Sequence, residues 1–215
     1  MNALLKFVGA VALAAGLTAV PALAQTKLTV PGGSTTGTYM DYMKTVYARA
    51  SGAELLQEPL TSFDNEYQLT PLAATSWDQS ADGLTWTFHL RDGMKWSDGE
   101  PVTATDYIFA LQRAATTGYD FAWYWSFASG IKNWDDVSAG KADVSTLGLK
   151  AVDDKTIEVT TAAPKPYLPG VVSLWYPVPK HQFDKFGDDW ASSVANVLSS
   201  GPFVLKSWEK SNNSV

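Results

Sequence analysis

The two histidines of this sequence, His89 and His181, are the first residues to consider for catalysis or metal binding. His89 stands in an alternating segment on the same face as Thr85 and Thr87, and this position favours a hydrogen-bonded structural role. His181 opens a short predicted helix and is expected at the surface. We therefore predict no catalytic residue, no metal site and no cofactor.

Other sequence features that are typical of enzymes are absent or have a better structural explanation. The chain has no cysteine, which excludes disulfides, thiolate metal sites, a cysteine nucleophile and a lipidated N-terminal cysteine. It contains no HExxH, EF-hand, GxSxG, GxGxxG or phosphate-loop motif. The carboxylates that could form a glycosidase pair stand beside glycine, proline or polar residues, where turn chemistry explains them better. These are Asp98, Glu100, Asp135, Asp136, Asp153 and Asp154.

Aromatic residues are stronger candidates for ligand contact. The chain has nine Trp, nine Tyr and nine Phe, and the segment 120–133 is the densest in them. An extended strand through Trp123, Tyr124 and Trp125 would place large rings on both of its faces. Either both faces are buried or one of them lines a cleft and stacks on a ligand. A secreted carbohydrate-binding module, or a glycosidase with Trp platforms, is the alternative that these rings leave open.

Local patterns predict the elements that would position these residues. Residues 84–90 alternate, with Trp86, Phe88 and Leu90 on one face of a strand. Residues 94–96 are expected to return as a short strand. Thr103 is typical of a helix N-cap, with Asp106 three residues later, and the helix should extend to about residue 115.

The remaining elements are predicted with less detail. Apolar spacing predicts a helix over 39–56, and residues 147–152 and 156–160 read as an antiparallel hairpin. Five prolines between 164 and 179 favour an extended segment, and a short helix follows to residue 186. Residues 201–208 read as a strand.

The first 24 residues are typical of a secretory signal peptide. Lys6 is followed by a mostly apolar run of 14 residues, and Ala22-Leu23-Ala24 is a small-x-small cleavage pattern. Cleavage after Ala24 predicts an exported, periplasmic protein that is not lipidated. The whole chain of 215 residues has a net charge of −6 and no basic block, which argues against a nucleic-acid partner.

Three stretches carry a more specific pattern: PLAATSW at 71–77, DGLTWTFHLRDG at 82–93 and KWSDGEPVTATD at 95–106. They resemble the signature of extracytoplasmic peptide-binding proteins, the solute-binding family 5 receptors of bacterial ABC importers. A second set of stretches resembles the oligopeptide and murein-peptide branch of that family. These stretches are residues 135–141, 147–154, 177–180, 186–190 and 201–205.

The resemblance implies an α/β fold of the periplasmic-binding-protein type II class, with an extra domain. It implies that residues 25–64 and 165–215 belong to a discontinuous, truncated first lobe and residues 65–164 to an extra α+β domain. The second main lobe is expected after Val215. The resemblance covers residues 54–208 well and the preceding part weakly.

The resemblance also implies a function. The protein is expected to capture peptides without chemistry and to deliver them to the membrane permease of an ABC importer, acting as a monomer. Met40-Asp41-Tyr42 is the nearest match to the family's Leu-Asp-Pro, which places Thr45, Val46 and Tyr47 in the ligand-lining segment that follows. The family's aromatic residue near the cleft corresponds to Phe121 or Trp123, and Trp125 is predicted with them.

Overall fold

The computed structural model describes residues 37, 39–45, 50 and 52–209. All of them belong to one unit of the chain, Gly32–Val215. The strands are β1 (Thr61–Phe63), β2 (Leu69–Pro71), β3 (Ala74–Gln79), β4 (Thr85–Leu90), β5 (Leu149–Asp153) and β6 (Thr156–Thr160). The helices are α1 (Ala53–Leu56), α2 (Ala104–Thr117), α3 (Ala122–Ser129), α4 (Trp134–Ser138), α5 (Leu168–Val171) and α6 (Lys180–Phe186). Short 3-10 helices occupy Val144–Thr146, Val172–Leu174 and Gly187–Ala191.

A four-stranded antiparallel sheet with the order β3-β4-β6-β5 forms the centre of the described structure. The prediction for β4 is confirmed, since Trp86, Phe88 and Leu90 are buried and alternate with partly exposed residues. Phe88 lies opposite Trp77 of β3 and Ile157 of β6, so β4 has a partner strand on each side. β1 and β2 form a separate antiparallel hairpin.

The predicted hairpin after residue 147 is also confirmed. β5 and β6 pair antiparallel with Leu149 opposite Val159. Ile157 and Val159 are fully buried, whereas most of β5 is exposed. β6 therefore lies inside the sheet, and β5 forms one of its two edges.

Helix α2 begins at the predicted cap. The Thr103 backbone N–H donates to the Asp106 carboxylate at 2.9 Å, which is the Asp form of a capping box. The predicted apolar face is buried, with Tyr107, Leu111 and Ala114 fully inaccessible. The helix ends at Gly118, whose φ of 64° is the left-handed conformation that glycine adopts most easily.

Asp106 does more than cap its own helix. Its carboxylate also accepts hydrogen bonds from the Trp96 indole at 3.2 Å and from the Lys180 backbone N–H at 3.1 Å. The side chain thus joins the start of α2, the preceding turn and the start of α6. Burial raises the pKa of Asp106, although these hydrogen bonds act in the opposite direction.

Two predictions about the loops were wrong. Residues 94–96 do not form a strand beside β4. Their backbone pairs instead with residues 100–102 across a short turn, through the Lys95–Pro101 bridge and a hydrogen bond from the Trp96 N–H to the Glu100 carbonyl. The proline-rich segment 164–179 is not extended throughout, because α5 and the 3-10 helix Val172–Leu174 lie within it. Pro169 fits there because it stands in the first turn of α5, where an amide hydrogen has no intrahelical partner.

Other predictions concern the ends of the described structure. No strand forms at 201–208, where the chain is irregular. Of the predicted helix at 39–56, the described residues show a turn at 42–44 and the short α1, and residues 46–49 and 51 lie outside the described ranges. The short helix before residue 186 is confirmed as α6.

The predicted signal peptide, residues 1–24, also lies outside the described residues, and among those described no helix is long and apolar enough to cross a membrane.

We predict that Asp106→Asn destabilises the fold by about 1–3 kcal/mol, because an amide NH₂ would replace one acceptor oxygen beside buried donors. Urea denaturation followed by tryptophan fluorescence measures the change. Asp136→Asn is the matched control, since Asp136 is an exposed carboxylate of α4 and should change the free energy of unfolding by less than about 0.5 kcal/mol. Equal effects of the two variants would contradict the role given to Asp106.

Candidate functional site

Two of the segments predicted to line the ligand site lie side by side. The Thr45 hydroxyl donates to Asp120 Oδ2 at 2.6 Å, and the Tyr42 ring contacts the Phe121 ring edge-to-face at 6.2 Å. Tyr42 also packs on Tyr176, with ring centroids 4.0 Å apart. The structure thus brings the segments that carry Thr45 and Phe121 together, whereas Val46 and Tyr47 lie outside the described residues.

The aromatic segment after Asp120 is a helix, α3, and not the strand considered from the sequence. Phe121 stacks on Tyr124 with parallel rings 5.0 Å apart, and it meets Trp125 edge-to-face at 6.1 Å. In a helix, residues three and four apart share a face, so Phe121, Tyr124 and Trp125 form one cluster.

Trp123 and Trp125 have different environments on this helix. Trp123 is 60% exposed, whereas Trp125 is fully buried and packs against Trp175 at 6.2 Å. Phe121 is 6% exposed, so in this structure both Phe121 and Trp125 are buried and, of these rings, only Trp123 is largely exposed. The indole N–H of Trp125 has no hydrogen-bond partner.

The rings of α3 do not form a flat platform. The Trp123 and Tyr124 rings are inclined by 87°, and the Tyr124 and Trp125 rings by 85°. A sugar ring stacks on a broad exposed aromatic face, and successive rings at right angles cannot provide a continuous one. The geometry therefore does not favour a carbohydrate-binding module that uses these three residues.

A polar cluster holds the loop before α3 against the rest of the structure. Lys44 Nζ lies 3.0 Å from Asp188 Oδ2, and the Tyr119 hydroxyl donates to Asp188 Oδ1 at 2.5 Å. Lys44 Nζ also lies 4.0 Å from the centre of the Tyr39 ring. Three distant segments therefore meet at Asp188, directly beside the contact between Thr45 and Asp120.

The electrostatics of this cluster follow from its partial burial. Burial would raise the pKa of Asp188, but hydrogen bonds from Tyr119 and Lys44 and the positive charge of Lys44 together lower it. Burial is also the main reason that the pKa of the Tyr119 hydroxyl is raised, and its bond to Asp188 adds to this. The arrangement is a neutral phenol donating to a carboxylate anion, which suits positioning better than proton transfer at neutral pH.

A buried ion pair lies beneath the cluster. Arg113 pairs with Asp41, and their side chains are 3% and 1% exposed. The Trp190 indole donates to the same carboxylate at 3.1 Å. The guanidinium lies 5.0 Å from the Tyr119 ring centre and 4.9 Å from that of Phe183, while its Nε and Nη1 atoms have no hydrogen-bond partner. Ring contacts of this kind stabilise a cation that has few acceptors around it.

A shallow pocket of about 320 Å³ lies on the other side of α3, between α3 and α4. Ser126 Oγ donates to Asp135 Oδ1 at 2.7 Å across it. The lining residues are Ala122, Trp123, Ser126, Trp134, Asp135, Ser138 and Ala139.

The histidines are hydrogen-bonded, as predicted for His89. His89 Nε2 lies 3.0 Å from Asp78 Oδ2, and His181 Nε2 lies 2.9 Å from Asp98 Oδ2. Within the described part of the chain, no group of three or more His, Asp or Glu residues is placed to hold a metal ion.

Sequence reasoning missed the polar partners of the predicted site residues. Asp120 and Tyr119 stand immediately before Phe121, yet only the fold shows that they bond Thr45 and Asp188. The sequence does show the Tyr119 hydroxyl and the Asp120 carboxylate next to an aromatic run. It does not show that their partners lie 69 and 75 residues away.

Comparison with solved structures defines the class of protein. The fold resembles the murein tripeptide binding protein MppA of Escherichia coli, with a TM-score of 0.74, 32% identity and coverage of 81% of this chain and 35% of that one. It equally resembles Haemophilus influenzae OppA, crystallised as a complex with RPPGFSPFR, with a TM-score of 0.71, 32% identity and coverage of 81% and 35%. The fold is that of type II periplasmic-binding proteins.

The sequence assigns the family within this class. Residues 68–215 match the family described as bacterial extracellular solute-binding proteins, family 5 Middle. The chain belongs to this family, as its resemblance in sequence predicted.

Curated relatives agree with this assignment. The chain is 42% identical over 161 residues to the periplasmic oligopeptide-binding protein OppA of Salmonella typhimurium, which covers 71% of this chain and 28% of OppA. It is 42% identical over 158 residues to the probable deoxycholate-binding periplasmic protein YgiS of Escherichia coli, covering 71% and 29%. The chain thus spans less than a third of the length of these relatives. The comparisons give no support to the carbohydrate or glycosidase alternative.

We predict that Asp41→Asn destabilises the protein by about 3–5 kcal/mol, because it leaves the buried guanidinium of Arg113 without a counter-charge. Thermal unfolding followed by circular dichroism measures the loss. The double variant Asp41→Asn/Arg113→Met should recover much of it, since no unpaired charge remains buried. A double variant less stable than Asp41→Asn alone would contradict this explanation.

Proposed function

We propose that this chain is the N-terminal part of the substrate-binding component of an ABC importer, which captures peptides of the oligopeptide or murein-peptide type and delivers them to a membrane permease. The observation that carries the proposal is the likeness in fold and sequence to OppA and MppA, whose names and titles state peptide binding. The protein acts by binding alone, and no step of its cycle is enzymatic.

The domain arrangement is part of the proposal. Residues 25–64 and 165–215 belong to the first lobe, and residues 65–164 form the extra α+β domain. In support, all four strands of the central sheet and helices α2 to α4 fall between residues 65 and 164. The second main lobe belongs to the part of the relatives that this chain does not span.

The peptide-binding site is proposed to lie where the segment after Asp41 meets the loop before α3. Thr45, Val46 and Tyr47 contribute from the first segment, and Phe121 contributes from the loop. In support, Thr45 and Phe121 lie on the two segments that the Thr45–Asp120 hydrogen bond joins. Peptides would be held largely through their backbone, as in strand addition, with bridging waters around their side chains.

Export and oligomeric state complete the proposal. The protein is periplasmic, is released by signal cleavage after Ala24, lacks a lipid anchor and works as a monomer without nucleic acid. The named relatives OppA, MppA and YgiS are periplasmic, and the absence of cysteine removes the residue that would carry a lipid.

Deoxycholate is the second ligand to consider, because YgiS matches this chain as well as OppA does. A bile salt is a rigid apolar body with one carboxylate, and it would need aromatic and aliphatic contact more than backbone pairing. Both ligands therefore belong in the same binding experiment.

We predict that replacing the matching segment of Haemophilus influenzae OppA by residues 25–208 of this chain gives a chimaera that binds RPPGFSPFR, whereas the isolated chain binds it more weakly than the micromolar range. The physical reason is that two lobes must close on a peptide to bury it. Isothermal titration calorimetry measures both, with unmodified OppA as the positive control and deoxycholate as the second ligand. A folded chimaera that binds no peptide, or an isolated chain with micromolar affinity, would contradict the proposal.

Two variants of the chimaera test the position of the binding site separately from the peptide-binding function. Phe121→Leu should weaken peptide binding by about tenfold, whereas Phe127→Leu, an exposed ring on the same segment, should leave it unchanged. Equal affinities of the two variants would reject the position of the site and leave the peptide-binding function standing.

We also predict that the chain expressed in a Gram-negative host is exported and begins at Gln25. Mass spectrometry of the periplasmic fraction measures the cleavage site. Replacing Ala22 and Ala24 by bulky leucines should block cleavage, because signal peptidase requires small residues at these two positions. Retention of residues 1–24 on the native sequence in the periplasm would refute the prediction.

A further inference from the structure

The pocket between α3 and α4 has a chemistry that the proposed peptide site does not use. It is a shallow, open pocket of about 320 Å³ on the part of α3 that faces α4. Of the side chains around it, Trp123, Ser126, Asp135 and Ser138 can interact specifically with a ligand. None of the lining residues carries a positive charge.

Trp123 provides the aromatic wall of the pocket. Trp123 is 60% exposed, so its ring is accessible to a small molecule in the pocket. The edge-to-face contact with Tyr124, at 6.2 Å and 87°, restrains its orientation. An indole face of this kind attracts cations, because its π-electron density is negative.

Asp135 provides the charge. Ser126 Oγ donates to Oδ1 at 2.7 Å, which fixes the carboxylate at the edge of the pocket. The described structure gives the other oxygen, Oδ2, no hydrogen-bond donor and no cationic partner. Asp135 and its neighbour Asp136 both lie in the first turn of α4, so two negative charges stand close together there.

We propose that this pocket binds a small organic cation, an alkylated ammonium whose methyl groups contact the Trp123 indole and whose charge faces Asp135. A bare metal ion fits less well, because one carboxylate supplies too few oxygen ligands and no multi-residue metal cluster occurs in the described structure. An anion would be repelled by the Asp135 carboxylate. A quaternary ammonium matches both walls, since its surface consists of methyl and methylene groups and its nitrogen carries no hydrogen that must find an acceptor.

The test uses the whole chain with choline chloride as the probe and 3,3-dimethylbutan-1-ol as its neutral isostere. Two-dimensional NMR of the indole N–H signals, assigned with Trp123→Phe, follows the titration. We expect choline to shift the Trp123 signal with a Kd of about 1–10 mM, and the isostere to bind at least about fivefold more weakly. Equal binding of the two probes, or no shift with choline at about 100 mM, would overturn the proposal.

Matched variants locate the charge. Asp135→Asn should weaken choline binding by about fivefold or more, whereas Asp136→Asn, the adjacent exposed carboxylate outside the pocket lining, should have no more than about a twofold effect. Both variants must keep the circular dichroism spectrum of the native chain. If Asp136→Asn weakens binding as much as Asp135→Asn, general surface charge explains the attraction and the pocket is not a site. Because the titration involves no peptide, its failure would leave the proposed importer function untouched.

Discussion

The buried ion pair between Asp41 and Arg113 is the interaction on which the described structure most depends. The two residues are 72 positions apart, and the Trp190 indole, 149 positions from Asp41, donates to the same carboxylate. An unpaired charge at this depth would be strongly unfavourable, so the three segments can reach low free energy only when they meet. The pair therefore specifies which segments come together, even though a buried ion pair adds little net stability compared with apolar packing of the same volume.

Asp106 applies the same constraint at the other end of α2. Arg113 lies two turns further along this helix, so one face of α2 carries both a buried carboxylate and a buried guanidinium. Asp106 fixes the turn at Trp96 and the start of α6, whereas Arg113 fixes the segment that begins at Asp41. Helix α2 thus connects the sheet to the loops around the proposed ligand-binding site, and its position determines where the segments that carry Thr45 and Phe121 can meet.

These long-range contacts also explain how much of the fold the sequence could predict. Strand β4, the β5–β6 hairpin and the capped start of α2 were predicted because each depends on residues a few positions apart. The return strand at 94–96 was wrong because these residues pair with residues 100–102 across a short turn and not with β4. Likewise, the pattern around Thr45 suggests a functional segment but cannot show that Asp120 lies beside it.

The aromatic run at the start of α3 illustrates why the site itself was harder to predict than the fold. A helix turns by about 100° per residue, so adjacent rings point in different directions and three environments arise from one stretch of sequence. Trp125 faces the core, Phe121 and Tyr124 stack beside the Thr45 segment, and Trp123 and Phe127 face outward. Composition shows only that many rings are present. Which ring can touch a ligand depends on the helix and on what packs against each of its sides, and for this reason Trp123 and Trp125, two positions apart, have opposite environments.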